Sequence, residues 1–343
     1  MKAYIDYILE ETKHILSIDS PTGFTGRAAD YVMEKYEELG YCPVKTEKGG
    51  ILVELGGRDL ENGILLEAHI DTLGGMVAET NEKGRLRLTN LGGLNPNNGE
   101  TENCRVYTRD GRVYEGTFQL KNASIHVNKD YDEAKRRFED MEVVLDEDTA
   151  SKEDTKKLGI RNGDIVAFDP RTVMTQSGYI KSRFLDDKLS VGILLGYAKY
   201  LKEREITPER QVYQHITVYE EVGHGACGTV PKGVTEILSV DMGCVGEGLE
   251  CTERQVSICA KDSGGPYTYE VVSALIAAAE KAGVGYAVDI YPYYGSDADA
   301  ALKAGYDVRH GLIGPGVYAS HSYERSHRDG VENTLRLLAA YLG

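Results

Sequence analysis

Gly63-Ile64-Leu65-Leu66-Glu67-Ala68-His69-Ile70-Asp71 sets a short apolar run directly before a histidine and an acid. A run of this length that lacks strict alternation suits a strand buried on both faces, the kind that fills parallel sheets. It delivers His69 at its carboxyl end, where open α/β sheets gather their ligands. Upstream, an apolar stripe through Ile5, Ile8, Leu9 and Ile15 predicts a helix, the turn SPTGFTG follows, and a second helix ends at Leu39-Gly40. Tyr41 to Thr46 and Ile51 to Leu55 flank Lys48-Gly49-Gly50 and predict a hairpin. Far downstream the spacing predicts helices over Lys188 to Lys202, Tyr267 to Ala282 and Val331 to Leu342. These alternate with strands over Val212 to Tyr219, Ile237 to Asp241 and Ala287 to Tyr291. Such alternation predicts an α/β fold with a mixed, largely parallel sheet sandwiched by helices.

Between Gly74 and about Thr175 the texture changes to short alternating runs and many turns (NEKG, LNPNNGE, RDGR, RNGD). This reads as a small β module inserted into the α/β domain. The expected division is residues 1–74 with 172–343 as one domain and 75–171 as the insertion. Within it lies an acidic segment, Asp130 to Asp154, and the stretch YDEAKRRFEDMEVVLDEDTASKEDTKKLG is expected to be a solvated helix and loop.

The balance of charge narrows the functions open to this chain. Among 343 residues, 39 Lys and Arg face 55 Asp and Glu, a formal net charge of −16, and no basic run is present. Binding to a phosphate backbone needs the opposite footprint, so no nucleic-acid partner is expected. No apolar stretch approaches the roughly 20 residues that span a bilayer, so no membrane role is expected. The opening MKAYIDYILEETKH is amphipathic and acidic, unlike a secretory signal, and the expected location is the cytoplasm. Six dilute cysteines form no C-x-x-C pair, which argues against a disulfide framework and against a thiolate metal site.

Chemistry is sought at the strand ends. In His69-Ile70-Asp71 the outer residues face one way, so Asp71 is placed to hold the imidazole through its second nitrogen. Phe184-Leu185-Asp186-Asp187-Lys188 enters a helix; one aspartate serves as a cap, whereas two in succession repel and suit a neighbouring cation. In VYQHITVYEEVGHGACG an apolar strand ends in Glu220-Glu221. Both can face one site only if the backbone turns, which Gly223 and Gly225 permit; one carboxylate could then bind metal while its neighbour serves as general base. Asp241 closes the apolar Leu238-Ser239-Val240, and His321 follows a Gly/Pro-rich turn. Each is bland alone. Together, His69, Asp186, Glu221, Asp241 and His321 offer two imidazoles and three carboxylates, and two divalent ions with one bridging hydroxide would make that set neutral. Nitrogen and oxygen ligands without thiolate suit zinc, cobalt or manganese.

A rival reading starts from Gly223-His224-Gly225-Ala226-Cys227-Gly228, which matches G-x-G-x-x-G after a strand with Asp241 downstream and so points to an NAD-dependent dehydrogenase. The glutamate pair stands where a pyrophosphate would come, and the fingerprint lies too deep in the chain to open a nucleotide-binding unit.

The ordered motifs AHIDTLG, FLDDK, YEEVGHGA, SVDMG, YGSDADA and HSYE resemble those of the tetrahedral (TET) aminopeptidases, co-catalytic metallopeptidases. The resemblance runs from the first helices to the last and spans the inserted β module, which it implies is a dimerisation or oligomerisation domain. It implies two divalent ions per subunit, zinc or cobalt. Asp186 would bridge them, His69 and Asp241 would lie on one side, Glu221 and His321 on the other. Glu220 would be the general base; Asp71, from its spacing to His69, is counted beside it as a catalytic residue. It further implies a cis peptide after the bridging aspartate, short peptide substrates, and a homo-oligomer of the tetrahedral dodecamer type built from dimers. The stretch ASHSYERSH departs from the family in lacking an apolar residue after Ser322. The expected activity is release of N-terminal residues from short peptides; the alternatives are a dinuclear metal amidohydrolase or deacylase acting on N-acyl substrates, and a binding module that kept the fold. Ser296-Asp297 reads mainly as a helix N-cap.

Overall fold

The computed structural model describes residues 1–343. A twelve-stranded mixed sheet forms the body of the α/β fold. Its centre is parallel: strands Arg210–Thr217, Asp59–His69, Val234–Val240 and Arg309–Tyr318 lie side by side in that order. The apolar run around Ile64 is fully buried, as a central strand requires. Register carries the functional consequence. Thr217 stands opposite His69, and Val240 opposite Ile313, so neighbouring chain reversals fall on one edge. Antiparallel strands close both flanks, with Ile51–Gly56 beside Arg210–Thr217 and Tyr179–Ser182 joined through Glu324–His327.

Helix Leu185–Glu203 packs on the central strands and is buried on every side from Leu185 to Ala198, apolar from Val191 to Leu195 after the polar start at Asp186, Asp187, Lys188 and Ser190. Helix Lys2–Leu16 approaches it closely because two glycines remove the intervening side chains. A Cβ on Gly192 would stand 2.2 Å from Thr12 Oγ1, and one on Gly196 2.2 Å from Ile8 Cγ1. Helix Asp297–Lys303 lies on the same central strands and shapes the cleft described below. No helix of the chain is long and apolar enough to cross a membrane.

Six strands, Gly74–Thr80, Leu86–Leu91, Asn103–Tyr107, Val113–Leu120, Met141–Leu145 and Ile165–Phe168, close into a separate small barrel. One expectation fails here. The stretch expected to be a solvated helix and loop contains the barrel strand Met141–Leu145, with Met141 and Val143 wholly buried and Leu145 nearly so. The dense charge on either side masks an inward-facing period of two in MEVVL. Only the short helix Lys152–Lys157, capped by the Ser151 side chain on the Asp154 amide, matches the expected solvated helix. The barrel interior rests on Phe118, which is fully buried edge-on to Phe168 at 5.5 Å between ring centroids. Phe118→Ala is expected to cost about 3–5 kcal/mol in the barrel's unfolding, read from denaturant melts.

Candidate active site

His69 ends its strand and lies buried behind Asp186 and Glu220, which with Glu221, Asp241 and His321 border a cleft of about 490 Å3. Its Nδ1 lies 2.9 Å from the main-chain oxygen of Asp71, and Nε2 lies 3.1 Å from Asp186 Oδ1. The imidazole is therefore oriented by the Asp71 carbonyl and not, as the sequence suggested, by its carboxylate, which is 3.7 Å away. That carboxylate instead accepts the Thr22 hydroxyl at 2.7 Å and the Glu220 amide at 3.1 Å.

Asp186 is the centre of the cluster. Phe184 takes φ +69°, Asp186 and Asp187 are non-helical, and the peptide between them is cis, as the resemblance implies. Asp186 Oδ2 accepts the Ser320 hydroxyl at 2.9 Å and stands 3.4 Å from His321 Nε2. Asp187 faces His69 and Asp241. One of its oxygens accepts the His69 amide at 3.3 Å, while the other is buried with no hydrogen-bond partner.

The glutamate pair requires a turn, and the turn is present: Tyr219 has φ +69° and Gly223 φ +83°, bracketing the short helical turn Glu220–Val222. Tyr219 bears the strain of a left-handed conformation that the sequence had assigned to the glycines alone. Glu221 Oε2 then lies 3.5 Å from His321 Nε2, and Glu220 Oε2 lies 3.7 Å from His69 Nε2. Asp241, one residue past its strand, is held by the Met242 amide at 2.6 Å. Two overlapping groups, His69 with Asp187 and Asp241, and His69 with Asp186 and Glu221, each bring their ligand atoms within 4.8 Å of one another.

Burial and mutual repulsion govern the charges. Burial, then the Asp186 charge, pushes Glu221 up to about 8 and Asp241 up to about 7. Burial also raises Glu220 well above the carboxylate range. For Asp186 burial works upward as well, but hydrogen bonds from His321 and His69 outweigh it and hold the group low. Burial lowers His321, yet its bond to Asp186 prevails and lifts it to about 10. Crowded acids that must retain protons, two imidazoles drawn toward one carboxylate, and an orphaned buried oxygen on Asp187 are what a donor set built for cations displays. The donors are nitrogen and oxygen only, so they fit borderline divalent ions better than thiophilic ones.

Several working residues escaped the sequence reading. Glu324, inside the quoted HSYE, is buried and accepts both the Asp186 amide and the His321 amide at 3.0 Å. Asp297 is more than a cap. Ser296 occupies the N-cap position, but its hydroxyl meets Tyr267 at 2.8 Å and caps no amide. The buried Asp297 carboxylate receives the Ala226 amide at 2.8 Å and the Thr217 hydroxyl, beside the cleft. The segment matching G-x-G-x-x-G opens no helix; the next regular element is the strand Val234–Val240. A Cβ on Gly225 would stand 2.4 Å from Asp297 Oδ1, so this glycine makes room for a carboxylate and cradles no phosphate.

The model of the M42 glutamyl aminopeptidase family matches residues 49–337. The chain belongs to this family. It is a peptidase of the aminopeptidase kind. This M42 peptidase is 44% identical over 334 residues to YhfE of Bacillus subtilis, a protein named as an aminopeptidase, with 97% of this chain and 96% of that one covered. Its fold is similar to that of the aminopeptidase APDkam598 from the archaeon Desulfurococcus kamchatkensis, with a TM-score of 0.87 at 23% identity over 99% of this chain and 95% of the other. It is likewise similar to the TET1 peptidase of Pyrococcus horikoshii, which can assemble into a tetrahedron or a large octahedral shell. There the TM-score is 0.84 at 22% identity, over 97% of this chain and 98% of the other.

Proposed function

We propose that this M42 peptidase releases N-terminal residues from short peptides with two divalent ions, zinc or cobalt, held by His69, Asp186, Glu221, Asp241 and His321. The observation that carries this reading is the position of Asp186, 3.1 Å from one imidazole and 3.4 Å from the other. The contacts support His69 and Asp241 on one side, Glu221 and His321 on the other, and Asp186 shared. When bound, the ions would polarise the scissile carbonyl and acidify the attacking water.

The chain's own groups supply the rest. Glu220 takes the proton of the attacking water and delivers it to the leaving amine. Asp71 aims it by gripping its amide, and Glu324 holds Asp186 and His321 through theirs. The acidic end of the cleft receives the substrate's free α-amine. Asp71→Asn is expected to lower kcat about 10- to 100-fold with KM little changed, measured by steady-state kinetics on an aminoacyl-anilide. By likeness to tetrahedral relatives we place the enzyme in a homo-oligomer, with the barrel of residues 75–171 as assembly module, in the cytoplasm.

A panel of aminoacyl-anilides against the same amino acids N-acylated tests the reaction. Turnover confined to substrates with a free α-amine is expected. Preference for the blocked compounds would replace the peptidase reading with that of a deacylase.

A further inference from the structure

The loop that leaves barrel strand Leu86–Leu91 does not stay with the barrel. It runs Gly92-Gly93-Leu94-Asn95-Pro96-Asn97-Asn98 behind the proposed metal-ligand cluster, with its two glycines against Glu221 and His321. A Cβ on Gly93 would stand 2.7 Å from His321 Nδ1, and one on Gly92 would stand 3.1 Å from the Glu221 Cβ. The barrel backbone therefore touches the imidazole where no side chain would fit. At the end of the loop, the Asn98 amide donates to the main-chain oxygen of His321 at 2.7 Å, and its carbonyl oxygen accepts the Ser322 hydroxyl at 3.1 Å.

This contact falls on a segment in need of support. Ala319 has φ +59° and His321 φ +63°, both left-handed, a conformation a non-glycine residue holds only when its surroundings enforce it. Asn98 is itself anchored. The Arg183 guanidinium donates to its main-chain oxygen at 2.6 Å and to that of Asp169 at 3.1 Å, and Arg183 lies three residues before Asp186.

We infer that Asn98 is a positioning residue for His321, and that the inserted barrel completes the Glu221–His321 half of the metal site besides any part in assembly. The inference rests on the dinuclear reading above. Removing the Asn98 amide frees the His321 backbone to leave its left-handed conformation and swings the imidazole away from Asp186. A methyl at Gly93 displaces the same ring by direct contact, through a different cause.

The test is metal binding to the stripped full-length protein, followed by zinc titration calorimetry and by metal content after gel filtration, for wild type, Asn98→Ala and Gly93→Ala. Wild type is expected to hold two ions per subunit. Both variants are expected to keep one at unchanged affinity and to bind the second about 10- to 100-fold more weakly, the usual effect of losing a group that orients a ligand. A wild type that holds fewer than two ions overturns the dinuclear reading itself. Two ions in wild type and both retained at wild-type affinity in Asn98→Ala would refute the role of Asn98 alone. Gly93→Ala guards against misfolding of the asparagine variant, because a displaced second ion in a well-folded Gly93→Ala supports the same wall, and two unperturbed ions there contradict it.

Discussion

Replacing Glu220 with Gln is expected to cut turnover about 10²- to 10⁴-fold while leaving the metal content at the wild-type level. The amide keeps the size of the carboxylate and cannot accept the water's proton. Glu220 lies 3.7 Å from His69 and faces the cleft, yet the ligand clusters form around Asp186 and Asp241 without it. Separate readouts distinguish a base from a ligand: steady-state kinetics for the first, elemental analysis for the second. Loss of bound metal in Glu220→Gln would move this residue into the ligand set, and full activity would remove it from the mechanism.

Asp186→Asn acts at a different level and should be more severe. Asp186 stands 3.1 Å from one imidazole and 3.4 Å from the other, so its loss is expected to empty both positions and to lower kcat/KM by more than about a thousandfold. A variant that retained two ions and appreciable activity would show that the ions do not share this carboxylate.

The parts of this site that were legible in the sequence are those carried by short-range pattern. Apolar runs that end in His69, Glu220-Glu221 and Asp241 are strands whose parallel register places their ends together, and Thr217 does stand opposite His69. Contacts made only by the closed fold were not legible. Glu324 reaches the Asp186 amide across 138 positions and Asn98 reaches His321 across 223, and neither residue type is unusual where it stands. The orientation of His69 was misassigned for a subtler reason. Spacing placed Asp71 on the correct side, but the backbone carbonyl, and not the side chain, faces the ring. In the barrel, charge density around Met141–Leu145 overrode a weak alternation, although the interior of a small barrel needs only every second residue to be apolar. Tyr219 shows the converse limit, since a left-handed tyrosine beside available glycines has no signature in composition or spacing.

The decisive measurement is a crystal structure of the protein loaded with zinc, with anomalous difference density collected at the zinc edge. Two peaks about 3.5–4 Å apart are expected. Asp186 should lie between them, His69 and Asp241 on one, Glu221 and His321 on the other. A single peak, or two peaks bound elsewhere while these five side chains remain paired only with one another, would contradict the shared-carboxylate site.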